Sequence, residues 1–360
     1  MAHVHFTIDE LDIPAAPGAP GWDDFVAVTG VRNRAESEGY GTDELSYSAE
    51  ELLPVWQNRA FDPKRLFVAR AGTGIIARGA LENQADPTNE FAWIDVQVLP
   101  EWRGQGVGSA LFDELERHAL ADGRRTYVVY TVSPDAPGER LAAPTGFGSV
   151  PLGNPEVRFL LGRGYHLEQI ERGSRLALPV DGGVLERYLS DAAAFAGPDY
   201  AVRTWVGPVP GELREDLAML YTRMSTDAPS AGLEEPEDAW SVERLLELEG
   251  ERAASPRTFL TAAAVHLPTG RLVGYTELSV PPEFGRSVTQ EDTLVLREHR
   301  GHRLGMLLKA ANLQLLAAAI PGHTAVITFN AEENRHMLSV NEALGFVPMG
   351  YEGAWKRVVG

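Results

Sequence analysis

The chain has 360 residues and a formal net charge of −19, enough length for two domains at a working size of roughly 150 residues each. It contains no cysteine, which excludes disulfides, thiolate metal ligands and a cysteine nucleophile together. The acidic balance works against general nucleic-acid binding, which needs a positive surface to displace counterions, and no run approaches the roughly 18–20 apolar residues that span a bilayer. The first residues carry neither a basic segment nor a long apolar run, so a cytoplasmic protein without a signal peptide or membrane contact is expected.

In chain order, a helical region holding Glu36, Glu38, Asp43 and Glu44 around Tyr40 precedes a strand-like run at Leu66–Arg70. Ala92–Leu99 reads as another apolar strand, with Asp95 inside it. It feeds Arg103-Gly104-Gln105-Gly106-Val107-Gly108, after which Val107, Ala110, Leu111, Leu115 and Ala119 share one helical face. Ser133–Pro155 is rich in proline and glycine and reads as a loop. Gly164-Tyr165 and a strand-like Arg175–Leu178 follow, then a junction at Pro179–Gly183, a helical Val184–Phe195 and a strand at about Tyr200–Val206.

The same order then recurs. Thr258–Ala262 parallels Leu66–Arg70, and Asp292 opens a second apolar strand, Asp292–Leu296. Arg300-Gly301-His302-Arg303-Leu304-Gly305 echoes the first motif at an offset of 300 − 103 = 197, which Asp95 and Asp292 share. Leu304, Leu307, Leu308, Ala311 and Leu315 line the helix that follows. Gly345-Phe346 matches Gly164-Tyr165, and Glu352 matches Glu171, at an offset of 346 − 165 = 181. The first copy therefore carries 16 extra residues, assigned to Ser133–Pro155. An ordered series of this kind is a tandem repeat. The copies are expected at residues 1–180 and 200–360, with a linker helix at 181–199.

A strand that enters a helix through a glycine-rich turn makes an anion site, because the first N–H groups have no partner within the helix and its dipole is positive there. The glycine spacing is not that of the dinucleotide fingerprint, and no lysine-serine or lysine-threonine pair makes it a P-loop. Val98–Leu111 closely resembles the acyl-CoA-binding motif of the GNAT acetyltransferase superfamily, whose pattern is Arg or Gln, two residues, Gly, one residue, then Gly or Ala. The second copy resembles it through Arg300, Gly301 and Gly305. Asn334 and Asn341-Glu342-Ala343-Leu344-Gly345-Phe346 resemble the family's later helix and closing strand. The doubled arrangement is similar to tandem members of actinobacterial type.

This resemblance implies an α/β (α+β) architecture of two tandem GNAT acyl-CoA N-acyltransferase folds, each a mixed central sheet flanked by helices. It implies acetyl-CoA as co-substrate and no metal. The pyrophosphate would lie on Arg103, Gly104, Gln105, Gly106, Val107, Gly108 and Ser109, or in the second copy on Arg300, Gly301, His302, Arg303, Leu304 and Gly305. The pantetheine arm would run beside Val96 and Val98, or beside Leu294 and Leu296, with Asn330 and Asn334 near it.

Two departures from the family pattern bear on chemistry. Arg303 stands where the first motif glycine is expected, so it either crowds the pyrophosphate or clamps it with its guanidinium. Many family members place a tyrosine five residues before the closing aromatic, to protonate the leaving thiolate. Here those positions hold Leu160 and Asn341, and asparagine donates a hydrogen bond but has no titratable proton.

Amine attack on a thioester needs a base. Asp95 and Asp292 occupy the strand position where the family often places one; the competing reading is a carboxylate held by backbone at a strand bulge. Asp292, with Glu291 beside it, has the more polar surroundings, so catalysis is assigned to the C-terminal copy with Asp292, Glu291 and Asn341. Asp227, Glu234, Glu235 and Tyr275 are assigned to an ammonium-bearing acceptor, against the plainer reading of a solvated loop. His299 and His302 read as surface residues rather than metal ligands. The expected activity is direct acetyl transfer, in a ternary complex, to a primary amine of a small cationic molecule, by a monomer or homodimer. A non-catalytic acyl-CoA-binding module and a protein N-acetyltransferase stand as alternatives.

Overall fold

The computed structural model of the protein describes residues 5–86, 88–227, 231–233 and 236–360. Its elements are β1 (Thr7–Glu10), α1 (Trp22–Tyr40), α2 (Ala49–Gln57), β2 (Lys64–Ala71), β3 (Gly74–Glu82), β4 (Phe91–Val98), α3 (Val107–Ala121), β5 (Thr126–Val132), β6 (Arg140–Ala142), β7 (Ser149–Pro151), α4 (Pro155–Gly162) and β8 (His166–Ala177). There follow α5 (Gly182–Ala196), β9 (Tyr200–Val206), α6 (Arg214–Asp227), α7 (Val242–Ala254), β10 (Thr258–His266), β11 (Arg271–Val280), β12 (Val288–Val295), α8 (Leu304–Ala319), β13 (Ala325–Ala331), α9 (Arg335–Leu344) and β14 (Val347–Val358). Ser133–Pro155, expected as a loop, contains the hairpin β6–β7, paired from Arg140↔Pro151 to Ala142↔Ser149. Among the described residues no helix is long and apolar enough to cross a membrane.

Two compact units form, and they do not follow the order of the repeat. The first comprises Met1–Glu171, Ala231–Leu233 and Gly350–Gly360; the second comprises Arg172–Ser230 and Glu234–Met349. In the first unit the strands run β1-β2-β3-β4-β5-β14. Neighbours are antiparallel except β4 and β5, which are parallel. In the second unit the order is β8-β13-β12-β11-β10-β9, and β12 and β13 form the parallel pair. A parallel pair cannot be joined by a tight turn and needs a crossover; α3 and α8 supply it. The closing strand of the second copy thus completes the first unit, while β8, from Arg172 on, adjoins β13 in the second.

Strand alternation divides each core into two layers. In the first unit Leu66, Val68 and Ala80 face Phe25, Val28, Leu53 and Trp56 of α1 and α2. Their neighbours Phe67, Ala69, Ala77 and Leu81 face Val107, Leu111 and Leu115 of α3. In the second unit Ala263, Val265 and Tyr275 pack on Leu217, Leu220, Tyr221 and Leu245 of α6 and α7. Ala262, Ala264 and Val273 pack on Leu304, Leu307 and Leu308 of α8. Each fully buried leucine contributes about 1.5–3 kcal/mol relative to exposure, so these faces, more than helix propensity, fix the helices against the sheet.

One contact shows how tightly the first unit is assembled. Gly39 sits inside α1, where glycine costs about 1 kcal/mol relative to alanine. A Cβ there would lie 2.2 Å from Val132 Cγ1 and 3.2 Å from Val132 Cβ, so the helix has no room to accept one. Gly39→Ala is therefore expected to destabilise the protein by about 1–2 kcal/mol, the overpacking cost outweighing the propensity gain. A urea midpoint equal to or above that of the parent protein would contradict this.

Candidate active site

Each copy leads its fourth strand through a short helical turn, Pro100–Trp102 or Arg297–His299, into an arginine and then a tight loop. The backbone follows one path in both: φ is +72° at Gly104 and +88° at Gly106, and +84° at Gly301 and +56° at Arg303. No side chain caps α3 or α8. The first backbone bonds within the helices are Ala110 N–H to Gly106 O and Leu307 N–H to Arg303 O. The amides before them point out of the turn with no partner inside the helix. A Cβ added at Gly104, Gly106 or Gly301 would meet nothing within 4 Å. The space over both turns is therefore open, and the turns fit a diphosphate bound by main-chain N–H groups.

The motif arginines shape this turn from behind. Arg103 Nε donates to Val98 O at 2.9 Å and its two terminal nitrogens grip Glu38 at 3.0 and 2.7 Å. Arg300 repeats the arrangement, with Nε on Val295 O at 3.0 Å and Nη2 on Asp227 Oδ2 at 3.2 Å. Arg297 reaches the other oxygen of Asp227 at 3.2 Å, and Arg223 lies 3.8 Å from it. Asp227, expected on the acceptor side, is a buried anchor already enclosed by three guanidinium groups. A further cation has no place there. Glu234 and Glu235 lie outside the described residues. Arg303 neither crowds the turn nor reaches over it: its guanidinium stacks on the Phe195 ring, 4.4 Å from the centroid. Gln105 turns back to Glu101 O at 2.9 Å.

Beyond the turn, the parallel strands part. β4 and β5 pair only over Phe91–Trp93, and β12 and β13 only at Val288 and Thr289. Val96 and Val98, and likewise Leu294 and the following Leu296, stand past the point of divergence. Their partners on the other side are Gly79, Ala77 and Tyr275 for the first, second and third, while Leu296 N–H bonds Val273 O. The edge facing the opening is left for a ligand to pair with.

The copies differ at the aspartate. In the first, β3 and β4 pair without interruption, and Arg78 Nη2 stands 3.4 Å from Asp95. In the second, the β11–β12 register shifts between Thr276↔Thr293 and Leu278↔Gln290, so Glu277 alone opposes both Glu291 and Asp292. This is a β-bulge, which re-aims side chains at a strand opening. Gln290 Nε2 braces it by donating to Glu277 O at 2.7 Å and Thr276 Oγ1 at 2.9 Å. Tyr275 holds the position of Arg78 at the 197-residue offset, and its hydroxyl lies 3.5 Å from Asp292 Oδ2.

Glu291 and Asp292 reach solvent yet are enclosed by protein on most sides, as on the floor of a cleft. Enclosure is the main reason their carboxyls are pushed up, to about 7 for Glu291 and about 6 for Asp292. The neighbouring charge of Asp292 adds to the first, and that of Glu277 to the second. Glu277 is different. Burial works to raise it, but Arg252 (3.0 and 3.2 Å), Tyr221 (2.7 Å) and Thr261 (3.2 Å) hold it below the usual carboxylate range. Tyr275, expected on the acceptor side, is fully buried with its hydroxyl toward Asp292.

On the other wall, Asn334 caps α9 by accepting from Met337 N–H. Asn341, only 1% exposed, donates from Nδ2 to Asn330 Oδ1 at 2.7 Å, and its own Oδ1 has no hydrogen-bond partner among the described residues. Leu160, at the equivalent place in the first copy, is core. His299 accepts from or donates to the Tyr200 hydroxyl at 2.9 Å beside His266 and His302. Among the described residues no group of three or more His, Asp or Glu side chains is arranged to hold a metal. Sequence reasoning missed Glu277, Arg252 and Tyr221. It also missed that the buried Tyr40 hydroxyl donates to Glu352 in the first unit, where burial above all raises Glu352 to about 7. A lone glutamate within the apolar run Leu272–Val280 was the available signal for Glu277.

Residues 32–147 match the acetyltransferase (GNAT) family. No curated protein matches the chain. Among solved structures, a tandem GNAT protein from the clavulanic acid biosynthesis pathway is 24% identical, covers 99% of both chains and superposes with a TM-score of 0.73. A GCN5-related N-acetyltransferase from Sphaerobacter thermophilus is 15% identical over 98% of this chain and 95% of its own, with a TM-score of 0.62. A GCN5-related glucosamine N-acetyltransferase region of a fungal multi-domain β-N-acetylglucosaminidase is also 15% identical, covering 98% of this chain and 38% of that one, with a TM-score of 0.61. At these identities the structures establish a shared fold, and the family match falls on the first copy. Residues 32–147 thus match the acetyltransferase (GNAT) family, and over its whole length the chain shares the fold of a tandem GNAT protein.

Proposed function

We propose that the protein transfers an acetyl group from acetyl-CoA to the primary amine of a small cationic molecule, directly and in a ternary complex, at the C-terminal copy. One comparison carries this assignment: Asp95 faces the guanidinium of Arg78, whereas Asp292, at the same place, faces the phenol of Tyr275. A guanidinium engages a carboxylate as an ion pair. A phenol leaves it free to take a proton near neutral pH, where a general base works best. Acetyl-CoA would lie with its diphosphate on the amides after Arg300 and its arm along Leu294 and Leu296, and it supplies the activated thioester. As the C–N bond forms and the C–S bond breaks, Asp292 takes the proton shed by the attacking nitrogen. Glu291 shares the floor with it, and the pair titrates as a unit. Asn341 is buried with its Nδ2 on Asn330 Oδ1, so the thiolate leaves without a protein-borne acid. Two carboxylates on the floor also favour an acceptor that arrives as an ammonium ion.

The test is thiol release from acetyl-CoA across a panel of primary amines at pH 5 to 9. Because the base must be ionised, kcat/KM is expected to fall as the pH drops through about 7 to 6, the values of Glu291 and Asp292. If acetyl-CoA raises the melting temperature while no amine releases thiol, the catalytic reading fails and a binding module takes its place.

A further inference from the structure

Below the cleft floor lies a charged assembly that the fold itself does not need. Glu277 is buried in the middle of β11 and holds Arg252 of α7 through two hydrogen bonds, with Tyr221 of α6 and Thr261 of β10 completing its shell. At the 197-residue offset the first copy has Ala80, buried in the apolar core. At this one position the same strand of the same fold, in the same chain, is therefore built without charge. Buried ion pairs are often matched or bettered in stability by apolar residues of similar size, so stability does not account for this one. Its location is specific: Glu277 is the residue opposite the bulge that presents Glu291 and Asp292.

We propose that Glu277, clamped by Arg252 and Tyr221, is a positioning residue for the acyl-transfer base, its fixed charge and its place in the bulge keeping Asp292 a competent proton acceptor. The inference rests on the assignment of Asp292 as base. The groups that act on Asp292 and Glu291 are Arg252 from α7, Arg257 just before β10, and Tyr275 and Glu277 from β11, while Tyr221 from α6 meets Glu277. Apart from burial, Glu277 is the leading influence raising Asp292, while the Tyr275 hydrogen bond and Arg252 act the other way. Arg257 is turned toward Ser279 and Thr289, at 2.6 and 3.3 Å, and lowers Glu291. Removing the Glu277 charge while Arg252 stays would leave the cation dominant and weaken the base.

The experiment is the pH profile of kcat/KM for the parent protein, Glu277→Gln, Glu277→Gln/Arg252→Met and Asp292→Asn, with acetyl-CoA affinity measured alongside by calorimetry. Glu277→Gln is expected to move the acid limb down by about one pH unit and to lower kcat about tenfold, with acetyl-CoA affinity unchanged. The double variant removes the stranded cation and is expected to bring the limb part of the way back. It also serves if the single variant fails to fold. An unmoved limb in Glu277→Gln, or a double variant identical to the parent in both limb and rate, overturns the inference. If instead Asp292→Asn keeps the parent rate and limb, the assignment of the base itself is at fault.

Discussion

Asp292→Asn is expected to lower kcat between about a hundredfold and ten-thousandfold, the usual contribution of a positioned general base, while acetyl-CoA still binds. The amide has nearly the shape of the carboxylate and leaves the bulge, braced by Gln290 on Glu277 O and Thr276 Oγ1, in place. Only the proton acceptor is lost. The matched control is Asp95→Asn, expected to change kcat less than about threefold, because Asp95 is already spent on Arg78. Steady-state kinetics with one responsive amine distinguish the two. Equal losses in both variants would mean that both copies contribute to turnover. A loss confined to Asp95→Asn would place the chemistry in the N-terminal copy, which carries the family match.

The second large effect concerns stability. Lys309 lies on the inner side of α8 and is only 2% exposed. At the 197-residue offset it replaces Phe112, whose ring meets Tyr165 at 6.2 Å; Lys309 Nζ meets the matching Phe346 ring at 5.9 Å. A lysine has taken an aromatic's place in an apolar layer, and burial pushes it down from 10.5 to about 7. At high pH the amine is neutral in both folded and unfolded chains and costs nothing electrostatically. As the pH falls from about 10.5 the unfolded chain gains a proton that the folded chain refuses until about pH 7, so stability is lost across that window. Lys309→Met keeps the length and removes the charge. It is expected to stabilise the second unit by up to roughly 4 kcal/mol at pH 7, a shift of about three units at 1.36 kcal/mol each, and by little at pH 10.5. Urea denaturation at the two pH values measures this directly; a gain that is the same at both would trace to packing alone.

Much of the architecture could be read from residue order. The faces of the two motif helices followed from period: Val107, Leu111, Leu115 and Ala119, and Leu304, Leu307, Leu308 and Ala311, are buried, while Ala110 and Leu315 at the edges of those faces are half-buried. The paired motifs located both glycine turns because the backbone there is locally determined. What stayed hidden depends on distant residues. Asp227 looked like one carboxylate of an acidic segment until Arg297 and Arg300, some seventy positions on, were seen to enclose it. The sequence allows a strand bulge at Asp95 and Asp292 alike, but a bulge exists only relative to the neighbouring strand, and pairing places it at Asp292 and not at Asp95. Arg78 and Tyr275 share an offset, but their meaning emerges only when each is placed beside its aspartate.

Pairing of β14 with β5, from Glu352↔Val132 to Val358↔Thr126, bears on how the protein is made. Synthesis delivers α1 through β5 early, yet the strand that covers β5 leaves the ribosome only after the whole second unit has been translated. Throughout that interval the nascent first sheet carries an unsatisfied ladder of N–H and C=O groups, a template for pairing with the wrong chain. Expression of the first half alone would make that transient exposure permanent.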